Sequence, residues 1–531
     1  MTSDEHRADT YYITTSIPYV NAAPHIGHAL EYVQTDAFAR YHRLLGDDTR
    51  FLTGTDENSL KNVQAAEREG MPTAELVQKY AQVFLTRARQ LDISNDDFIR
   101  TAVERRHSLG AQTLWEAVDR QGDIYKRSYQ GLYCVGCEQF YTEDELVDGL
   151  CPEHGSRPDV VEEENYFFRL SRYGDQLLQL LDRGELRIVP ESRRNEVRSF
   201  IARGLQDFSI SRSRERARGW GIEVPGDPDQ VMYVWFDALT NYISALGYGA
   251  DGPLYRRYWL ENSQRVHVIG KGIVRFHAVY WPAMLLAAGL PLPTTIFVHG
   301  YLTVDGVKMS KSLGNVVDPG TLVERFGADA VRYWFLREVP PTGDADYTDD
   351  KLLRRYTADL ANDLGNLLNR TVSMLHRYRN GLVPATTTPS EDLMATAGTL
   401  PERLHVAMTH DYDPQAALTA IWELVTRANR YVEESAPWAL SKAERAGDGA
   451  AARRLDTVLL SLAEALRLVA EALRPFLPST AERMAAQLGV TLVEGDWTAA
   501  LSWGSLAAGA KAGEPRPIFP KREVEQPATS H

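Results

Sequence analysis

The sequence predicts an α/β protein built on a parallel sheet, interrupted by a small cysteine-bearing insertion and followed by an all-α region. Three observations predict it. Short apolar runs alternate with amphipathic helical stretches up to about residue 119 and again after 212; all three cysteines of the chain fall between positions 134 and 151; and beyond about 357 strand signals give way to heptad-like helical stretches.

Taken in order, "YYITTSIPYV" reads as a buried strand and "IGHALEYVQTDAFARYHRLLG" as an amphipathic helix, so "APHIGH" (23–28) falls where strand gives way to helix. "TRFLTGT" reads as a second strand. The cysteines lie in an insertion over 120–211, after which "MYVWFDALTNYISALG" and "RVHVIGKGIVRFHAVYWPAMLLAAG" resume the strand-then-helix pattern. "TTIFVHGYLTVDGVKMSKSLGN" reads as strand, Asp-Gly turn and lysine-rich loop. From 357 onward, proline and glycine interruptions at "NGLVP" and "ERAGDGAAA" separate helices, and the last stretch folds back over the surface. The resulting divisions are 1–119 and 212–295 for the two halves of the α/β domain, 120–211 for the insertion, 296–356 for the lysine loop and its surroundings, and 357–531 for the helices and tail.

A length of 531 residues suggests about three or four domains. With 44% hydrophobic and 24% charged residues the composition is that of a soluble globular protein. Fifty-eight basic against 72 acidic residues, a net charge of −14, argue against unspecific attraction to nucleic acid. The arginines from Arg193 to Arg218 form either a local docking surface or a solvated face. "MTSDEHRADT" lacks an apolar signal core, and the apolar run "AVYWPAMLLAAGLPLP" is short and broken, so a cytoplasmic protein is expected.

Three motifs carry chemistry. A helix start offers unpaired N–H groups and partial positive charge, a natural seat for phosphate, and His25 and His28 share one helix face there, with Pro24 ahead and Gly27 leaving the backbone open. In "KMSKS" (308–312), Lys308 and Lys311 stand on a loop where ammonium groups can follow charge that grows on a triphosphate; a solvated lysine loop is the bland alternative. Cys134-x-x-Cys137 and Cys151-x-x-His154 have the spacing of a tetrahedral structural zinc site with all four places filled by protein; a redox pair is the alternative.

Together "HIGH" and "KMSKS" resemble the class I aminoacyl-tRNA synthetases, letter for letter and in that family's order. The small zinc knuckle between the halves of the α/β domain, with "SIPYVNAAPHIGH", "GTDENSLKN", "YVWFDALTNYISALGY" and "IGKGIVRFHAVYWPAMLLAAGLPLP", resembles the methionine-specific branch over nearly the whole chain. The resemblance implies a Rossmann-like catalytic domain and an α-helical anticodon-binding bundle. It implies ATP held by His25, Gly27, His28, Gly270, Gly272, Lys308 and Lys311, the histidines and lysines being catalytic. Ile17, Tyr19, Asp56, Trp235, Ala238, Tyr242, Ile273, Phe276 and His277 would surround methionine, Asp56 taking its ammonium group; read alone, Asp56 could instead cap the helix that follows. Arg212 corresponds to a position near the active-site loop, with a surface arginine as the alternative. Gly272 departs from the pattern: many members carry Asp there, near the ATP ribose, and backbone or another polar side chain is expected to replace it.

Asn366, Arg370 and Trp438 match the family's anticodon readers, where unpaired bases are splayed and stacked. Implied with them are Mg2+ accompanying ATP, one structural Zn2+, L-methionine, and the initiator and elongator methionine tRNAs as substrates. A carboxylate already ionised at neutral pH needs no general base to attack the α-phosphate, so alignment and charge neutralisation suffice. The chain stops without an appended carboxy-terminal dimerisation domain, so a monomer is expected. Two other readings are a small-molecule nucleotidyltransferase, which would not need the helical bundle, and a catalytically silent, synthetase-like RNA-binding protein.

Overall fold

The computed structural model describes residues 9–136, 138–153, 155–309, 314–385 and 389–521. Two compact units emerge: the chain up to Thr35 with Asp47–Tyr301, and Asp36–Gly46 with the chain from Leu302 on.

The first unit is organised by a six-stranded sheet whose pairings are all parallel. Its strands are β1 (Thr10–Thr15), β2 (Asp48–Thr55), β3 (Asp97–Arg100), β4 (Arg187–Val189), β5 (Arg265–Gly270) and β6 (Thr295–His299), in the spatial order β3-β2-β1-β5-β6-β4. In β1, Tyr11, Tyr12 and Ile13 are fully buried, as expected for β-branched and aromatic residues in a sheet covered on both faces. With β2 and β3 on one side of β1 and the later strands on the other, a crossover falls between β1 and β5, the place where such sheets open a crevice at their carboxyl ends.

Helix α1 (Ile26–Leu44) leaves β1 after a ten-residue connection, and α2 (Leu60–Glu69) leaves β2 with Ser59 Oγ accepting from Lys61 N–H at 3.0 Å. Ser59, and not Asp56, therefore caps that helix. The cysteine-bearing stretch forms an antiparallel sheet in which Ile124–Cys134 pairs with Asp159–Phe168, yet its later segment β4 returns to the edge of the parallel sheet. Three residues are too short to carry a periodic signal, so this return was not legible in the sequence. A further three-stranded sheet, Glu223–Val224, Asp227–Met232 and Ser211–Ser213, holds Arg212.

The second unit opens with a hairpin, Leu302–Val304 against Val307–Lys308, around Asp305 and Gly306, both at positive φ (52° and 75°) as a mirror-image two-residue turn requires. Ala345–Tyr347 adds a third strand, parallel to Leu302–Val304, and the rest is mostly helical, including α3 (Asn366–Arg379), α4 (Pro414–Ser435), α5 (Pro437–Arg445) and α6 (Gly449–Leu473), the last buried almost without break from Val458 to Leu473. Arg332, fully buried, pairs with Asp36 at 2.7 Å and donates to the carbonyls of Phe476 and Pro475. The tail runs back over these helices: Val383 N–H donates to Ala510 O at 2.9 Å and Tyr356 OH to Pro520 O at 2.7 Å. No described helix is long and apolar enough to cross a membrane.

Candidate active site and helical recognition face

The two histidines are explained by the start of α1. The helix opens after Pro24, and His25 is its cap: the His25 carbonyl accepts from Ala29 N–H at 3.2 Å, and its Nδ1 accepts from Gly27 N–H at 3.1 Å. His28, three residues on, caps the backbone of His25, its Nδ1 accepting from His25 N–H at 3.1 Å. The rings lie 4.0 Å apart, and Phe84 meets the His28 ring edge-on at 5.3 Å. Burial pulls His25 down to about 4, and burial with the neighbouring His25 and His299 takes His28 well below the ordinary range. Both rings are thus neutral at pH 7. Because each Nδ1 is an acceptor, each hydrogen sits on Nε2, and the pair carries two N–H donors at a positive helix end.

Behind them, Glu31 of α1 accepts from Ser16 N–H and Oγ at the end of β1, at 2.7 and 2.6 Å, and bridges to His299 Nε2 at the end of β6, 2.8 Å away. Glu31 and His299 escaped sequence reasoning, since 268 residues separate them.

Beyond β2, Asp56 is buried and pairs across to Tyr19 as an isolated bridge, its N–H donating to Pro18 O at 2.9 Å. Burial, then Asp237 and Glu138, push its carboxyl well above the usual range. Asp56 Oδ1, Tyr19 OH and Trp235 Nε1 have no hydrogen-bond partner among the described residues. Trp235 and Phe276 stack at 3.7 Å, and Tyr19 meets Trp235 edge-on at 6.4 Å. His277 Nδ1 donates to Ile273 O at 3.0 Å, so its Nε2 accepts from Tyr242 OH at 2.7 Å, and burial lowers His277 to about 4. Ile17, Tyr19 and Ile273 are half-buried against this same core, and Ala238 is buried beside Trp235 on one short helix. The Asp56–Tyr19 bridge and the Tyr19–Trp235 contact thus bring the aromatic residues and a buried carboxyl into one neighbourhood.

Asp237 is itself held by Asn58 Nδ2 at 2.7 Å and by His107 Nε2 at 2.5 Å, with His107 Nδ1 2.8 Å from Ser244 Oγ. This Ser-His-Asp chain is fully enclosed, so it braces the loop after β2 and offers no nucleophile. Arg212 is likewise buried: Nη2 contacts Glu138 Oε2 at 3.0 Å and Tyr133 OH at 2.9 Å. The surface alternative for Arg212 is thereby replaced by an internal ion pair.

Gly270 ends β5 and Gly272 follows it, at the carboxyl edge of the sheet. In the second unit, Lys308 is exposed on its hairpin, with its carbonyl accepting from Asn315 Nδ2 at 3.2 Å; Lys311 lies outside the described residues. So do Cys137 and His154. Cys134 and Cys151 are both buried and share one small cluster with Tyr141 and Leu146. Among the described residues no group of three or more metal-binding side chains occurs.

On the helical unit, Asn366 is exposed and Arg370 half-buried, one turn apart on α3, and Arg370 Nη2 bonds Glu433 Oε1 on α4 at 2.7 Å. After α4, Ala436 takes a positive φ of 45° and α5 begins, leaving Trp438 47% exposed. Trp438 is therefore not a core residue.

Comparison with known proteins adds the family. A model described as tRNA synthetases class I (M) matches residues 11–158 and 145–372, and one described as the anticodon binding domain of methionyl tRNA ligase matches 383–530. The chain is 46% identical over 525 residues to the methionine--tRNA ligase of Caldanaerobacter subterraneus subsp. tengcongensis, covering 98% of this chain and 80% of that one. It is 45% identical over 531 residues to that of Mycobacterium tuberculosis, covering 97% and 99%. The solved M. tuberculosis methionyl-tRNA synthetase in complex with methionyl-adenylate superposes with a TM-score of 0.91 at 44% identity, over 97% of this chain and all of that one.

Proposed function

The chain belongs to the class I methionyl-tRNA synthetases, and on that premise we propose the residues through which this methionine--tRNA ligase joins L-methionine to the 3′ end of its tRNAs. The reaction has two steps. A methionine carboxylate oxygen attacks the α-phosphorus of ATP, the bond to the bridging oxygen breaks and pyrophosphate leaves; then a hydroxyl of the terminal tRNA ribose attacks the methionyl carbonyl and AMP leaves, the hydroxyl proton being lost.

Asp56 takes the substrate ammonium. A carboxyl that burial has made reluctant to ionise gains most from a cation delivered beside it, and its partnerless Oδ1 supports this role. Trp235 and Phe276, with Tyr19, Ile17 and Ile273, line the side chain, where aromatic faces favour a thioether by about 0.3–1.5 kcal/mol per contact. Ala238 leaves room, and Tyr242 holds His277 at the pocket's end. The Nε2–H groups of His25 and His28 donate to the phosphates, Gly27 lets the backbone approach, and Gly270 and Gly272 do the same at the end of β5. Lys308 and Lys311 neutralise charge as pyrophosphate departs. Mg2+ bound with ATP would supply further charge neutralisation. Asn366, Arg370 and Trp438 read the anticodon by edge contact and stacking. Cys134, Cys137, Cys151 and His154 hold one Zn2+ that staples the insertion.

The observation that carries this reading is Asp56 with an unsatisfied oxygen beside the Trp235–Phe276 stack. Methionine-dependent ATP–pyrophosphate exchange followed by charging of methionine tRNA tests it. Exchange and charging together are expected; a chain that exchanges without charging is a small-molecule nucleotidyltransferase, and one that does neither is not the ligase.

A further inference from the structure

The loop after β5 and the residue two places beyond β6 approach unusually closely. A Cβ built on Gly272 would lie 1.9 Å from the Tyr301 hydroxyl. The phenol therefore stands in the space that a side chain at 272 would take. Lys271 Nζ lies 4.6 Å from the centre of the same ring, and a Cβ at Gly270 would meet His299 Cε1 at 3.4 Å and Tyr301 Cε1 at 4.0 Å. Residues 270–272 are thus overlaid by side chains from the neighbouring strand's end. Gly272 is exposed and Tyr301 half-buried, so the phenol borders the open edge of the sheet.

Topology indicates which part of ATP comes there. The crossover lies between β1 and β5. Phosphates belong at the start of α1, which follows β1, and the sugar, next along the nucleotide, then falls beyond β5. A neutral hydroxyl, both donor and acceptor, suits a sugar hydroxyl better than a phosphate.

We propose that the Tyr301 hydroxyl bonds a ribose hydroxyl of ATP and so selects ribonucleotides, doing from just beyond β6 what residue 272, lacking a side chain, cannot do. The proposal rests on the ligase reading above.

Methionine-dependent pyrophosphate exchange is measured for the unaltered chain and for Tyr301→Phe with ATP, 2′-deoxy-ATP and 3′-deoxy-ATP. The unaltered chain is expected to prefer ATP over at least one deoxy analogue. In Tyr301→Phe, KM for ATP rises about five- to tenfold, the range of one neutral hydrogen bond, kcat changes little, and the preference over that analogue falls toward one. A preference equal to that of the unaltered chain overturns the proposal. Gly272→Asp, whose new Cβ collides with the phenol, weakens ATP binding, and adding Tyr301→Ala restores it; a double variant no better than Gly272→Asp also counts against it. Absence of exchange in the unaltered chain is a separate result, which sinks the ligase reading itself.

Discussion

Arg212 and Glu138 form an ion pair with Nη2 and Oε2 3.0 Å apart and both side chains out of water. Burial alone would raise the Glu138 carboxyl, but Arg212, Tyr133 and Ser59 outweigh it and hold it below the usual range. Glu138 Oε1 also accepts from Ser59 Oγ at 2.7 Å, and Tyr233 OH donates to the Glu138 carbonyl. The cysteine-bearing turn is thereby tied to the segment that carries Asp56. Arg212→Ala leaves Glu138 buried and unpaired, and should cost about 3–5 kcal/mol in denaturant unfolding, together with a raised KM for methionine in the exchange assay.

Asp56→Asn removes the charge meant for the substrate ammonium. The loss of a buried, hydrogen-bonded charge pair is worth ~2–5 kcal/mol, so kcat/KM for methionine in exchange should fall about a hundredfold or more, with little change in thermal stability. Since burial raises the Asp56 pKa and an ammonium lowers it again, methionine binding should release a proton, and affinity should rise with pH through the Asp56 titration. Calorimetry in two buffers of different ionisation enthalpy reads that proton directly; no buffer dependence argues against Asp56 as the partner.

His25→Asn keeps an acceptor where Nδ1 caps the helix but removes the Nε2 donor. Exchange should drop by about 1.5–3 kcal/mol in ΔG‡, the worth of a hydrogen bond to a charged group, while the melting temperature holds. A parallel loss of both would assign the ring to the helix alone.

Acid should weaken the fold through the same groups. His25 and His277 have folded pKa values of about 4 against an ordinary 6.5, so the unfolded chain binds more protons between those values. Their contribution is fully present above about pH 6.5 and is lost as pH falls through 4. Urea midpoints measured from pH 7.5 to 4 should decline across that window, and His277→Gln should flatten part of the decline.

Trp438 is exposed, so its removal should hardly touch stability. One base stacked on an indole is worth ~1–3 kcal/mol, and Trp438→Ala should raise KM for tRNA about tenfold or more while exchange stays unchanged. Equal losses in exchange and charging would remove Trp438 from anticodon reading.

What the sequence determined by itself is what one turn of chain can encode. The strand at Thr10–Thr15, the helix after it, and the histidine pair at its start follow from apolar patterning and from a three-residue spacing that lets the His28 imidazole cap the His25 backbone while the His25 imidazole takes Gly27 N–H. The Asp305-Gly306 turn that aims Lys308 is equally local. Tertiary structure alone decided the rest. The Asp56 carboxyl is raised well above its usual range by burial first and then by Asp237 and Glu138, which lie far from it in the chain. Trp235 stacks on Phe276, Glu31 finds His299, Arg212 goes inside, and Tyr301 fills the space above Gly272, all through packing between separate strands and helices. Such contacts leave no period in the sequence, because burial and close packing depend on which surfaces meet, and local chain geometry does not specify that.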